Sequence, residues 1–415
     1  MIKSIASLFT SSLIGRIIGF FRFQLLVFFF SQTQFTDKII YTTTLIWTLN
    51  NFFVIPNVNK SLIADLSSST KDNYSSIIRY TSKVALRSGV FAGIISVLII
   101  LFLQMTGSGL NFKPLDLILI FIIVICLGQN EVFSLYNQFR KRFFLYALNP
   151  AVWNSVLIGG ILTMWLLAST DLYIYLIFLL IAILLTLFMQ YNKVDVLLGK
   201  QSLVKIRETE KVKLPAKNYW YNGVVILFMG TTFLDLNFIT VFSVAGIVTV
   251  YTILLKIPEL MLSIINGSVQ PVFFNSIMDN QGRLKNNFSR FLLLSLVAFT
   301  LMGLFLFVFK YQLYQYLFNF QIAGFESSLL LVLIMAFFAS FSYMIVRLSE
   351  EFKYSKSLFF VALIMIVIKI FMIVTFDFSL NVIIYTNIAT YVCITLIGLY
   401  FLFIRKNTHI LNILD

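Results

Sequence analysis

Charge is scarce in this chain, and so are the residues that bind metals or form cross-links. Only 12% of its 415 residues are charged, against about 25% in a soluble globular domain. So few charges cannot build a polar surface. Histidine occurs once, at His409, which leaves nothing for a histidine metal site. The two cysteines, Cys126 and Cys393, lie inside apolar runs and suit packed free thiols rather than a disulfide scaffold. No GxxxxGK loop, HExxH pair or CxxC pair occurs. ATP hydrolysis of the P-loop kind is therefore excluded, and no metal or organic cofactor is expected. Long polar segments are also missing, and the external loops expected below are short and free of histidine. An enzyme of polysaccharide assembly would need acidic or histidine groups on such loops, so catalysis is disfavoured and no catalytic residue is assigned.

What remains is apolar. Hydrophobic residues make up 60% of the chain and aromatic residues 17%. A helix needs about 20 apolar residues to cross a bilayer. Twelve windows qualify, near 4–30, 38–58, 84–105, 115–139, 145–168, 171–192, 219–244, 247–276, 288–309, 325–348, 355–376 and 379–404. The runs are continuous rather than alternating, which excludes a β-barrel. The predicted fold is an all-α polytopic membrane protein.

The net charge of +14 does not point to nucleic acid. With the N-terminus in the cytoplasm, 24 of the 31 Lys and Arg residues fall in cytoplasmic segments. Three, Lys38, Lys113 and Lys310, fall outside, and four, Arg16, Arg22, Lys256 and Lys369, fall within spans. This bias predicts both termini inside, with anionic membrane lipids as contacts. The longest polar stretch, Lys193 to Lys217, divides the chain. The expected organisation is a six-helix lobe over 1–192, a basic cytoplasmic linker over 193–217, a second six-helix lobe over 218–404 and a cytoplasmic tail over 405–415. The two lobes are expected to enclose a central cavity.

Polar residues inside spans are costly, so their spacing carries information. In span eight, Thr249, Thr252, Lys256, Glu259, Ser263, Asn266 and Gln270 follow gaps of 3, 4, 3, 4, 3 and 4. They share one stripe of a helix. Span two has a shorter version in Asp37, Tyr41, Thr44, Thr48 and Asn51. The match predicts a duplicated fold with spans two and eight equivalent. A polar stripe either joins helices or lines water. A Lys and a Glu in register favour the cavity, although Lys256 and Glu259 are also placed to neutralise each other. In span one, Ser11, Gly15, Gly19 and Arg22 share a narrow face that admits a close neighbour. Arg16 lies near mid-membrane, where a cation needs a partner or water. Asp37, Glu131 and Asp235 are candidates for ion coupling. For Glu131 and Asp235 a structural ion pair is the favoured reading, and Lys369 is expected to reach outward to the interface.

The run SLIGRIIGFFRFQLLVFFFSQTQFTDKIIYTTTL resembles the opening of the MviN-type lipid II flippases. There a Gly-flanked Arg, a second Arg six residues on, and a Thr-Asp beginning the next helix recur. Arg16, Arg22, Thr36 and Asp37 take those positions. TVYTILLKIPELMLSIINGSVQPVFF resembles the eighth helix of that family and of the Wzx-type polysaccharide flippases, with Lys256 at a basic position. All belong to the MOP superfamily. The lipid II branch carries two further C-terminal helices, and arginines where this chain has Asn50 and Asn51.

The resemblance therefore implies a bacterial inner-membrane flippase for another undecaprenyl-diphosphate-linked oligosaccharide, of O-antigen, capsule or a similar polymer. Lipid II transport, multidrug export and an assembly enzyme are the alternatives. It implies a substrate site at Arg16, Arg22, Lys256, Glu259, Asn266, Gln270, Thr48 and Asn51, with Arg16, Arg22 and Lys256 meeting in one cavity. Coupling to Na+, H+ or the membrane potential would supply energy. The partners implied are the lipid-linked glycan and membrane lipids, with no nucleic acid, and the protein is expected to be a monomer. Topology reporters fused at residues 205 and 409 should both read as cytoplasmic; an external signal at either overturns the orientation.

Overall fold

The computed structural model describes residues 2–58, 74–107, 109–140, 142–191, 219–243, 245–264, 284–376 and 379–402. Twelve α-helices form, and no strand occurs among the described residues. Lipid offers the backbone no hydrogen bonds, so helices that satisfy themselves are the expected outcome. In the first half, α1 is Ile2–Phe30, α2 Gln34–Leu49, α3 Tyr74–Met105, α4 Pro114–Phe139, α5 Phe143–Leu166 and α6 Leu172–Tyr191. In the second, α7 is Tyr219–Phe242, α8 Ile247–Ile264, α9 Leu284–Phe318, α10 Glu326–Glu351, α11 Ser355–Thr375 and α12 Leu380–Tyr400. Helix α2 continues through a π-helical turn, Asn50–Val54. Nine helical segments are long and apolar enough to cross a membrane on their described residues alone. Each of the twelve windows coincides with a helix, but two helices overrun their windows. Helix α3 starts at Tyr74 and carries Arg79, Lys83 and Arg87, while α9 runs to Phe318 and takes in Lys310. Long cationic side chains extend a helix past the hydrocarbon without a penalty, which a hydropathy window does not register.

The chain divides into two compact units, Met1–Lys217 and Asn218–Asp415. The same packing pattern recurs in each. The first helix of the unit packs along the fifth, the fourth along the sixth, and the fifth along the sixth. Such recurrence is what a duplicated fold requires.

In unit 1 small residues set the α1–α5 contact. A Cβ on Gly15 would stand 3.0 Å from the Pro150 Cβ, and one on Gly19 would stand 2.9 Å from the Asn154 amide nitrogen. The Asn154 amide donates to the Gly15 carbonyl at 3.2 Å and to the Pro150 carbonyl at 2.7 Å. Glycine thus brings two backbones close enough for an interhelical amide bridge. Lys38 pairs with Asp116 at 3.2 Å and sits over the Phe112 ring at 4.7 Å, fixing the start of α2 to the start of α4. Lys113 pairs with Asp171, and that hydrogen bond holds its ammonium pKa above the usual lysine value. In unit 2, Ser342 on α10 donates to the Tyr391 carbonyl of α12 at 2.8 Å.

Gly15→Val should overpack the α1–α5 contact and cost about 1–3 kcal/mol. Gly303→Ala has nothing within 4 Å of the new Cβ and should be neutral. Thermal unfolding of the purified proteins in detergent checks both. Equal midpoints for the two variants would show that the α1–α5 approach does not limit stability.

Candidate functional site

Unit 1 holds Arg16 and Arg22 on α1, both half-buried. Gly15 is buried between them and the packed α5 face. The glycines thus hold α1 against its neighbour, and the two guanidinium groups sit beside that seam, half accessible. Asp37 is buried in the first turn of α2, where its charge meets the positive end of the helix. Thr33 caps the helix, accepting from Thr36 N at 3.4 Å. Tyr41 is fully buried, whereas Thr48 and Asn51 are half-buried. The span-two stripe therefore opens only along its second half. Asn51 lies in the π turn, beside a fully buried Asn50 whose side-chain amide has no hydrogen-bond partner among the described residues. A π turn is a common way of re-aiming side chains at functional positions. Glu131 is half-buried on α4, next to a fully buried Asn130.

Between α4, α5 and α6 of unit 1 runs a neutral polar network. Gln190 donates to Asn149 Oδ1 at 2.5 Å, and the Asn149 amide donates to Ser134 at 3.4 Å. Trp153 Nε1 donates to Thr186 at 2.8 Å, and its ring lies 4.8 Å from that of Trp47.

The interior of unit 2 is charged. Lys369 on α11 is 1% exposed and pairs with Asp235 on α7, itself 1% exposed. The ammonium has three donors. One goes to Asp235 Oδ1, one to Asn387 Oδ1 at 2.6 Å and one to the Thr231 carbonyl at 3.3 Å. Asp235 Oδ2 accepts from the Asn387 amide at 2.6 Å and from the Tyr251 hydroxyl at 3.1 Å. Four helices, α7, α8, α11 and α12, thereby meet on one ion pair. This corrects the expectation that Lys369 reaches outward. A lysine stem reaches the interface only from near a helix end, and a carboxylate on the adjacent helix offers a closer way to stabilise the charge. The pair was legible in principle, since a buried lysine demands a counter-charge and Asp235 was available. Asn387 and Tyr251 gave no such signal.

The span-eight stripe on α8 is graded. Thr249 is fully buried, and Thr252 bonds back to the Val248 carbonyl at 2.8 Å. Lys256 and Glu259 form a salt bridge at 2.9 Å, with their side chains 27% and 47% exposed. The stripe thus runs from buried to exposed along the helix, because its early residues are covered within unit 2. Asn266 and Gln270 lie outside the described residues, as do the basic linker and the tail. No cluster of residues suited to a metal occurs among the described residues.

Comparison with solved structures identifies this architecture. A lipid II flippase, MurJ, in an inward closed conformation, superposes with a TM-score of 0.71 at 15% identity. The match covers 96% of this chain and 87% of that one. An inward-facing multidrug resistance MATE family transporter of the MOP superfamily also gives 0.71, at 13% identity, over 95% of this chain and 96% of that one. A MOP superfamily transporter from Pyrococcus furiosus gives 0.57 at 14% identity, over 96% and 95%. The fold is that of the MOP superfamily transporters. No family model and no curated protein sequence matches the chain.

Lys369→Gln alone should strand the Asp235 carboxylate in a buried interior and cost unit 2 about 3–5 kcal/mol. The double variant Lys369→Gln with Asp235→Asn should recover most of that loss, because no unpaired charge remains. A thermal double-mutant cycle reads this. Strictly additive losses would show that the pair is not coupled.

Proposed function

We propose that this protein is a flippase that carries an undecaprenyl-diphosphate-linked oligosaccharide across the bacterial cytoplasmic membrane, for synthesis of an envelope polysaccharide. Both termini face the cytoplasm, and the protein works as a monomer by alternating access of its two six-helix lobes, 1–192 and 218–404. The reading is supported most by the distribution of charge. Arg16 and Arg22 are half-accessible beside the glycine seam of α1, and Lys256 is half-accessible on α8, whereas the buried carboxylate Asp235 is neutralised by Lys369 inside its own unit. Two arginines and a lysine against one exposed carboxylate, Glu259, leave a positive balance that suits an anion, which disfavours export of cationic drugs.

A diphosphate cannot cross hydrocarbon unaided, because burying unpaired charge costs tens of kcal/mol. Arg presents a fork that matches phosphate oxygens, and Lys supplies a point charge. In this reading Arg16 and Arg22 of one lobe and Lys256 of the other hold the diphosphate. Glu259 releases Lys256 as the anion arrives. Thr48, Asn51, Asn266 and Gln270 offer hydroxyls and amides to the sugars, while the lipid tail stays in the bilayer. Asp37 and Glu131 are the candidates for coupling to Na+, H+ or the membrane potential. Asp235 is a weaker candidate, since an ion would have to displace Lys369. No step makes or breaks a covalent bond, so the protein is not an enzyme. The second reading, lipid II as cargo, is favoured by the likeness to MurJ.

Complementation separates these readings. The gene should restore envelope glycan in a strain lacking a polysaccharide-unit flippase and fail in one lacking a lipid II flippase. The reverse pattern replaces the cargo, and drug resistance with neither replaces the class. Within a complementing system, Arg22→Ala and Lys256→Gln should each lose several-fold to a few hundredfold of export, the loss of a charged contact being about 1.5–3 kcal/mol. Lys256→Arg should retain more activity than Lys256→Gln. Normal export by Arg22→Ala and Lys256→Gln at normal abundance would remove the diphosphate clamp.

A further inference from the structure

Helix α9 ends in a turn that builds a cleft no transport step above uses. Asn319 takes a left-handed conformation with φ 48°. The backbone then closes on the helix end: Asn319 N donates to the Gln315 carbonyl at 3.0 Å and Phe320 N to the Tyr314 carbonyl at 3.2 Å. This C-terminal cap folds the following residues back over the last turns of α9. The result is a cleft of about 440 Å3 within unit 2, lined by Tyr311, Gln312, Gln315, Tyr316, Phe320 and Gln321. That volume lies within the about 300–1,000 Å3 of small-molecule sites. Phe320, 3% exposed, forms its floor, and Tyr316, 81% exposed, stands at its rim.

The lining holds three primary amides, three aromatic rings and the apolar Ile322 and Ala323, with no charged side chain; the Gln315 amide donates to Asn319 Oδ1 at 3.0 Å, which leaves Gln312 and Gln321 facing a ligand. The nearby charges are already engaged. Glu326 accepts from the Tyr311 hydroxyl at 2.9 Å and from Gly324 N at 2.8 Å, and the Lys310 ammonium lies 5.1 Å from the Tyr311 ring centroid. Tyr311 is therefore held in place by its own hydroxyl. Amides donate and accept at once, and tyrosine offers a rigid flat apolar face with a polar tip. A phosphate would find no cation in the lining, and a hydrocarbon tail would strand the amides. A ligand with C–H faces and many hydroxyls satisfies both kinds of group.

We infer that this cleft is a binding site for a neutral saccharide, at the end of unit 2 that the Lys and Arg distribution assigns to the outer face. The inference rests in part on the flippase reading, where it would receive sugars on the exit side. It can nevertheless be tested without transport.

The test uses the full chain in lipid nanodiscs with chitobiose, maltose and lactose as probes, read by saturation-transfer NMR. At least one saccharide should receive saturation, with a dissociation constant on the order of 1 mM, as expected for a few stacking and hydrogen-bonding contacts. Tyr316→Ala and the double variant Gln312→Ala with Gln321→Ala should weaken binding about tenfold or abolish it. Tyr316→Phe should keep most of it. Tyr385→Ala, an exposed tyrosine on α12, should leave it unchanged. No transfer to any probe overturns the inference, as does equal transfer in Tyr316→Ala. Equal weakening by Tyr385→Ala and Tyr316→Ala would make these rings anchors at the lipid interface, which also overturns it. Saccharide binding without export in the complementation assay would sink the flippase reading alone. Export without saccharide binding would sink this inference alone.

Discussion

Hydrocarbon hydrates nothing, and each charge in the membrane-spanning parts of this protein must find its stabilisation within the protein or at the bilayer surface. Most of the cationic charge avoids the problem by lying beyond the spans. The remainder falls into two treatments. Lys369 is sealed away with every ammonium proton bonded and its counter-ion beside it. Arg16, Arg22 and Lys256 are left half-accessible. A charge fully satisfied inside the fold has little left to offer a ligand. That difference separates the charge that holds the helices of unit 2 together from the charge that stays partly exposed.

The two units solve the same packing problem by partly different chemistry. In each, the first helix lies along the fifth, and a glycine lets them approach. In unit 1 that contact is closed by Gly15 and Gly19 against Pro150 and Asn154, and the amide bridge is neutral. In unit 2 a Cβ on Gly223 would stand 2.7 Å from the Phe359 ring, and the same contact adds Asp235 and Thr231 against Lys369, with Asn387 joining both partners. A glycine seam depends on shape, and larger side chains disrupt it. An ion pair depends on charge, and losing one partner is worse than losing both. The duplicated fold therefore fixes where the helices meet without fixing how they adhere.

Much of this was legible from the sequence because the membrane imposes few rules. Helix number followed from continuous apolar runs, and the close α1 neighbour followed from the spacing of Gly15 and Gly19. Helix length was less legible at α3 and α9, where Arg79, Lys83 and Lys310 extend helices past the windows that hydropathy marks. Lys369 was misplaced because its single-residue context gives no sign of Asp235, about 130 positions earlier in the chain. The Asn319 cap and its cleft were equally hidden. A left-handed asparagine after a helix is ordinary in sequence, and only the returning backbone turns it into a cavity.

The stripe of α8 is graded in exposure. Thr249 is buried, Lys256 is partly exposed and Glu259 more so, over eleven residues of one helix. The Lys256–Glu259 bridge lies at the exposed end of that gradient. An exposed ion pair of this kind contributes about 0–1 kcal/mol. If the protein carries an anion as proposed, Glu259 is the group that the anion would displace from Lys256. The Asp235–Lys369 pair cannot be opened so cheaply, because no water is at hand to take over either charge. The two pairs differ in what they join. The buried pair ties four helices of unit 2 together, whereas the partly exposed pair links only neighbouring turns of α8.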